Sequence, residues 1–271
     1  INSLAFDKQG RLFATQVFLG DALYEIDVNG ERPPRKIKEG MGGLNGFEIG
    51  PDGWLYGPLW FKGQVVKVNV DSGELQVVAE GFQTPAAANF GPDGMLYVVD
   101  TRSGELVRVD PASGAKTVVA QLATSLDNLA IDRAGTIFVS NMADNAIQEV
   151  DPKTGKVRTI VKSDLAAPTG LAMVGDTLYV ADTFAYRTVD VRTGKVTDVK
   201  RMQASDLEYP GYASADAEVV VLSSWFTGTV QVIDRASGET RDMMHGFAAP
   251  LGAVRLADGS LLVAELGSGS L

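Results

Sequence analysis

Residues 44–60 read LNGFEIGPDGWLYGPLW, residues 86–100 read AAANFGPDGMLYVVD, and residues 126–141 read LDNLAIDRAGTIFVSN. One pattern is repeated: a short apolar run, a glycine turn, then a second apolar run that closes on a polar or aromatic residue. Alternation with period two and enrichment in Val, Ile, Leu and Tyr mark both runs as strands. The glycine between them supplies the positive φ of a tight reversal. The turn glycines Gly10, Gly53, Gly94 and Gly135 are spaced by 43, 41 and 41 residues. Gly259 follows 124 residues later, which is three further periods. A third strand such as ELVRVD, a PASG- or PKTG-type turn and a fourth strand such as AKTVVA complete each period. A second glycine marks that outer turn, at Gly30, Gly73, Gly114, Gly155, Gly194 and Gly238.

Each period is therefore a four-stranded antiparallel meander, and no stretch sustains a helical period. One meander cannot bury both of its faces, whereas copies packed around an axis can. The expected fold is an all-β β-propeller, a single domain over residues 1–271. Six units are complete, and residues 251–271 supply the first two strands of another. The reading favours seven blades, with six as the alternative.

Composition narrows the partners. The 271 residues carry 34 acidic and 24 basic side chains, a formal net charge of −10. The basic residues are scattered, so neither nucleic acid nor a membrane surface is expected as a partner. There is no cysteine, which excludes disulfides, thiolate nucleophiles and zinc–cysteine sites. No apolar run is long enough to span a bilayer. The chain opens on INSLAF, inside an expected strand, with no leader in view. A soluble monomer is expected, periplasmic or extracellular ahead of cytoplasmic, acting on a small molecule.

In a propeller the first strand of each blade lines the central channel. The glycine turn after it lies on one face, and the loop between the second and third strands lies on the other. The first face is repetitive in this chain and the second is individual, which places function on the second. Its loops carry Phe18, Trp60, Phe61, Phe184, Tyr186, Trp225 and Phe226, and Tyr212 stands at the start of an inner strand. Rings gathered at one mouth make an apolar wall for a small organic ligand.

The second residue of each inner strand reads Asn2, Asn45, Ala86, Asp127, Thr169, Gly211 and Leu251. Two amides and a carboxylate are oxygen donors of the kind that hard cations take, and Asn128 adds another. The expected ligand is a divalent cation, Ca²⁺ ahead of Mg²⁺. A competing reading has the same residues capping strand ends. At the end of the second strand, Asp100, Asn141, Asp182 and Glu265 share one slot, and Glu265 is the least turn-like of them. His245, the only histidine, lies on a connection between blades and is a candidate acid or base. Nothing resembles a nucleophile elbow.

The unit resembles the propellers of the gluconolactonase/paraoxonase-like (senescence-marker-protein-like) superfamily, and in second place the NHL-repeat and virginiamycin B lyase-like propellers. SLDNLAID at 125–132 is similar to the Asp-bearing metal segment of the lactonase group, and LNGFEIGPDGWLY at 44–56 to its Asn-Gly motif. INSLAFDKQGRLFAT resembles its Asn-bearing segment. The resemblance implies Asn2, Asn45 and Asp127 as calcium-type ligands and a metal-dependent hydrolase of a lactone or ester, with Asp127 at the reacting centre. Two features depart from that group: its first-blade glutamate has no counterpart, and Ala86 stands where a donor is expected. The lyase-like group implies instead a Mg²⁺-dependent lyase, for which VAELGS with Glu265, and His245, are the matching residues. A non-catalytic propeller that binds a ligand or peptide is the third alternative.

Overall fold

The computed structural model describes residues 3–18, 20–202 and 206–271. The first blade is β1 (Leu4–Phe6), β2 (Leu12–Gln16), β3 (Ala22–Ile26) and β4 (Arg35–Glu39). The second is β5 (Glu48–Ile49), β6 (Leu55–Leu59), β7 (Gln64–Val68) and β8 (Leu75–Glu80). The third is β9 (Pro85–Phe90), β10 (Leu96–Asp100), β11 (Glu105–Val109) and β12 (Lys116–Gln121). The fourth is β13 (Leu126–Ile131), β14 (Ile137–Asn141), β15 (Ala146–Val150) and β16 (Val157–Val161). The fifth is β17 (Pro168–Val174), β18 (Thr177–Asp182), β19 (Ala185–Asp190) and β20 (Lys195–Arg201). The sixth is β21 (Tyr212–Ala215), β22 (Val219–Ser224), β23 (Thr229–Asp234) and β24 (Thr240–Met244). β25 (Pro250–Arg255) and β26 (Leu261–Glu265) follow as a hairpin.

Each blade is an antiparallel meander in chain order, so the expected propeller of four-stranded blades is formed. The blade number is six, the alternative count; the favoured seven is corrected, because β25 and β26 pair only with each other among the described residues. This hairpin fills the space between the sixth and first blades. Ala253 and Val263 pack with Val219, Val221, Val230 and Val232, while Ala264 packs with Leu12, Ala14 and Ile26.

The glycine turns work through their aspartates. Asp93 Oδ1 accepts from the Met95 amide at 3.1 Å, and its Oδ2 accepts from the Tyr97 hydroxyl at 2.9 Å. Asp52, Trp54 and Tyr56 repeat the arrangement one blade earlier. Burial and the neighbouring carboxylate push the Tyr97 hydroxyl up to about 12. The outer-turn glycines join neighbouring blades. Gly114 has φ +73°, and a Cβ there would lie 2.2 Å from the Val78 carbonyl oxygen on the outer strand of the preceding blade. Gly73, Gly155 and Gly194 meet the carbonyls of Ile37, Val119 and Ile160 in the same way. Gly30 meets nothing, because the hairpin that precedes the first blade has no outer strand.

A third regularity shapes the channel. β9, β13, β17 and β25 each carry a register shift near their start, with one more residue than the partner strand. The shifts fall at Ala86, at Asp127–Asn128, at Thr169–Gly170 and at Leu251. Bulges of this kind re-aim side chains, here at the channel ring.

Candidate functional site at the channel mouth

A cavity of about 500 Å³ occupies the axis. Asn45, Ala86, Asp127, Thr169, Gly211 and Leu251 all line it, so the inner-strand ring converges as expected. Asn2 lies outside the described residues. Neighbouring inner strands are tied at this level: Thr169 Oγ1 donates to the Gly211 carbonyl at 3.0 Å, and the Ala88 amide donates to the Gly46 carbonyl at 2.8 Å.

Asp127 is the exceptional member. Its carboxylate makes no hydrogen bond and no ion pair among the described residues, although its backbone stands in the β13 bulge. It is half-buried and lines the cavity. Desolvation there pushes its carboxyl up to about 6. The other oxygen donors are committed to different degrees. Asn45 Oδ1 faces the Ser3 hydroxyl at 3.5 Å. Asn128 Oδ1 accepts from the next amide, Leu129, at 2.8 Å, and the Asn128 amide donates to Ser140 Oγ at 3.1 Å. No cluster of three or more His, Cys, Asp or Glu side chains among the described residues is placed to hold a metal. A cation in this channel would rest on Asp127 and neutral oxygens. That all-oxygen set suits a hard divalent cation that keeps much of its coordination for water and substrate.

The shared slot at the end of each second strand serves the scaffold. Asp100 is fully buried and accepts from the amides of Gln83 at 2.6 Å and Thr84 at 3.0 Å, clamping the connection into its own blade. Asn141 donates to the carbonyls of Ala123 and Thr124, and Asp182 accepts from the Ala166 amide at 2.7 Å. Glu265 does the same: Oε1 accepts from the Ala248 amide at 3.1 Å, and Oε2 accepts from the Ser268 and Ser270 hydroxyls. The Ser268 bond holds its carboxyl below the usual glutamate range. His245 follows β24, the outermost strand of the sixth blade, and is exposed. Neither His245 nor Glu265 lines the channel cavity, so the structure does not join them to Asp127.

The aromatic expectation divides. Phe18, Trp60, Tyr212 and Trp225 line the cavity. Phe61, Phe184 and Phe226 stand exposed in the same set of loops. Tyr186 is the correction: it is 1% exposed and packs with Tyr179, Leu207 and Leu222. β19 begins at Ala185, so Tyr186 is already inside a strand, where alternation turns it into the core. Sequence reasoning passed over Glu48 and Asn89. Glu48 Oε2 accepts from the Phe90 amide at 2.7 Å, and Asn89 lines the cavity. Burial pushes the Glu48 carboxyl above its usual range. The available signal was polar residues at an inner-strand position where Ala5, Ala130 and Ala172 stand in other units.

Comparison with known proteins extends these observations. The streptogramin B lyase structure superimposes with a TM-score of 0.84 at 13% identity, covering 98% of this chain and 90% of that one. A catalytically inactive virginiamycin B lyase from Staphylococcus aureus with quinupristin gives 0.79 at 13% identity, over 97% and 91%. The nidogen/laminin complex gives 0.70 at 13% identity, over 87% and 93%. At such identities these likenesses speak for the fold. No curated protein matches by sequence. Residues 1–184 match the SMP-30/Gluconolactonase/LRE-like region, and on that match the chain belongs to the SMP-30/gluconolactonase-like family.

Proposed function

We propose that the protein is a metal-assisted hydrolase of a lactone or ester, working at the top of the channel over Asp127. The observation that carries this reading is a carboxylate without a partner lining a cavity that Phe18, Trp60 and Trp225 also line. Family membership supports it, since members generally depend on a metal. Asp127 and Asn45 are the described residues that would hold the cation, Ca²⁺ ahead of Mg²⁺. When bound, the cation polarises the carbonyl and stabilises the charge that grows on its oxygen.

The chain's own residues supply the rest. Asp127, once ionised, accepts a proton from the water that adds to the carbonyl carbon. In the metal-free protein burial pushes the Asp127 carboxyl up to about 6, so it is ionised at neutral pH and open to the cation. Trp60, Trp225 and Phe18 hold the apolar part of the substrate and thin the water around the reacting bond.

Treatment with EDTA, followed by a panel of lactones and esters with and without added Ca²⁺ or Mg²⁺, tests this. Turnover that depends on the cation and disappears in Asp127→Asn supports it. Full turnover without metal, or in Asp127→Asn, rules it out. A lyase is the second reading, favoured by the same unpartnered base, which serves equally to remove a carbon-bound proton. Turnover in ¹⁸O-water separates the two, because hydrolysis places the label in the acid product and elimination does not.

A further inference from the structure

Six loops join second and third strands around the mouth, the segment after β26 stands in the seventh place, and all seven share a register. The second residue after each strand end is Phe18, Phe61, Arg102, Ala143, Phe184, Phe226 and Gly267. The four phenylalanines are 53%, 63%, 52% and 67% exposed, so packing within the chain does not account for them. They fall into two groups. Phe18 meets Trp60 and Phe61 edge-on, with centroids 6.3 and 6.1 Å apart. Phe184, Tyr209, Phe226 and Trp225 form a chain of contacts of 5.8, 5.8 and 4.8 Å.

The first group belongs to the first and second blades and the second group to the fifth and sixth, so they stand on opposite sides of the axis. Between them the loops offer Arg102 and Ala143 on one flank and Gly267 on the other. Both groups are seated on glycine. A Cβ at Gly211 would lie 2.8 Å from the Trp225 indole nitrogen, and one at Gly43 would lie 2.7 Å from the Phe61 ring. Phe18 and Trp60 from one wall, and Trp225 from the other, line the cavity that Asp127 lines from the fourth blade. The crown is thus continuous with the reacting centre, which makes its occupant the molecule processed there.

We propose that this substrate is an ester with a flat apolar group on both its acyl and its alcohol side, one held against each aromatic wall while the bond between them lies over Asp127. A molecule with one such group would leave the opposite wall wet. The proposal rests on the hydrolase reading. The step balances: water adds to the carbonyl carbon and gives a proton to Asp127, the bond between that carbon and the ester oxygen breaks, the proton passes to the leaving oxygen, and an aryl acid and an aryl alcohol leave.

The test uses phenyl benzoate, phenyl acetate and methyl acetate as probes with two, one and no rings. Phe18→Ala and Trp225→Ala each remove part of one wall. Phe61→Ala and Phe226→Ala, at the most exposed positions, repeat the test with the least risk to folding, and melting curves confirm that each variant folds. The preference for phenyl benzoate over methyl acetate should fall about tenfold with either wall and about a hundredfold with both. For phenyl acetate a single wall should matter. An unchanged preference in all four variants overturns the proposal. Calorimetric binding of benzanilide, the amide analogue, to metal-free Asp127→Asn protein separates the two readings. Binding that needs both walls, alongside Ca²⁺-loaded wild type that cleaves none of the three esters, keeps the crown and sinks the hydrolase. Ester cleavage indifferent to both walls keeps the hydrolase and sinks the crown.

Discussion

Asp127 shows how much one residue carries. Burial pushes its folded carboxyl up to about 6, against about 4 for an unfolded aspartate, so the folded state binds the proton more tightly. The stability associated with that proton is fully present below about pH 4 and is lost as pH rises through about 6. In metal-free protein, Asp127→Asn should therefore melt higher than wild type at about pH 8, by roughly 2–3 kcal/mol, and the two curves should meet near pH 4. Chemical denaturation across that range checks it; equal stability at both ends would mean the carboxylate is solvated after all. The same substitution should cut ester turnover by about a thousandfold or more. Asp127 was legible in the sequence because one acidic letter stood in a ring of Asn, Ala, Thr, Gly and Leu. Tyr186 was misread because it and Phe184 are two letters apart, and only the strand boundary between them sends one outward and the other into the core.

At the scale of elements, the outer-turn glycines set up a comparison within one molecule. Gly114 and Gly30 have nearly equal φ, +73° and +69°, but only at Gly114 would an added Cβ meet a neighbour, Val78 O at 2.2 Å. Gly30→Ala should cost about 1–2 kcal/mol, the left-handed backbone penalty alone. Gly114→Ala should cost about 3 kcal/mol or more, since the third blade must also move off the second. Urea denaturation of both variants decides it; equal losses would show that the blades are not pinned at these turns. The Asp93 turn makes a smaller claim: Tyr97→Phe removes one buried hydroxyl bond and should cost about 1 kcal/mol. The period of the glycines made the blades readable. The inner-strand bulges were not readable, because an extra residue in a strand changes register without changing composition. The clamps at Asp100 and Glu265 were half readable: the shared slot was evident, but its amide partners lie on a connection 16–17 residues away.

For the whole molecule, repetition announced the ring, and exceptions to it picked out the residues of the candidate site. The exception that misled was the hairpin β25–β26, which keeps its place between blades without becoming one. Binding of a cation to the channel should compete with protons for Asp127, so Ca²⁺ affinity should fall as pH drops through about 6, which calorimetry at a series of pH values would follow. An affinity flat across that range would place the cation elsewhere. The most direct measurement is a crystal structure of protein loaded with Ca²⁺, with the anomalous signal mapped along the axis. A peak about 2.3–2.6 Å from the Asp127 carboxylate, with Asn45 among its neighbours, is the expected result. A channel without a peak, from protein that cleaves esters at full rate, would contradict it.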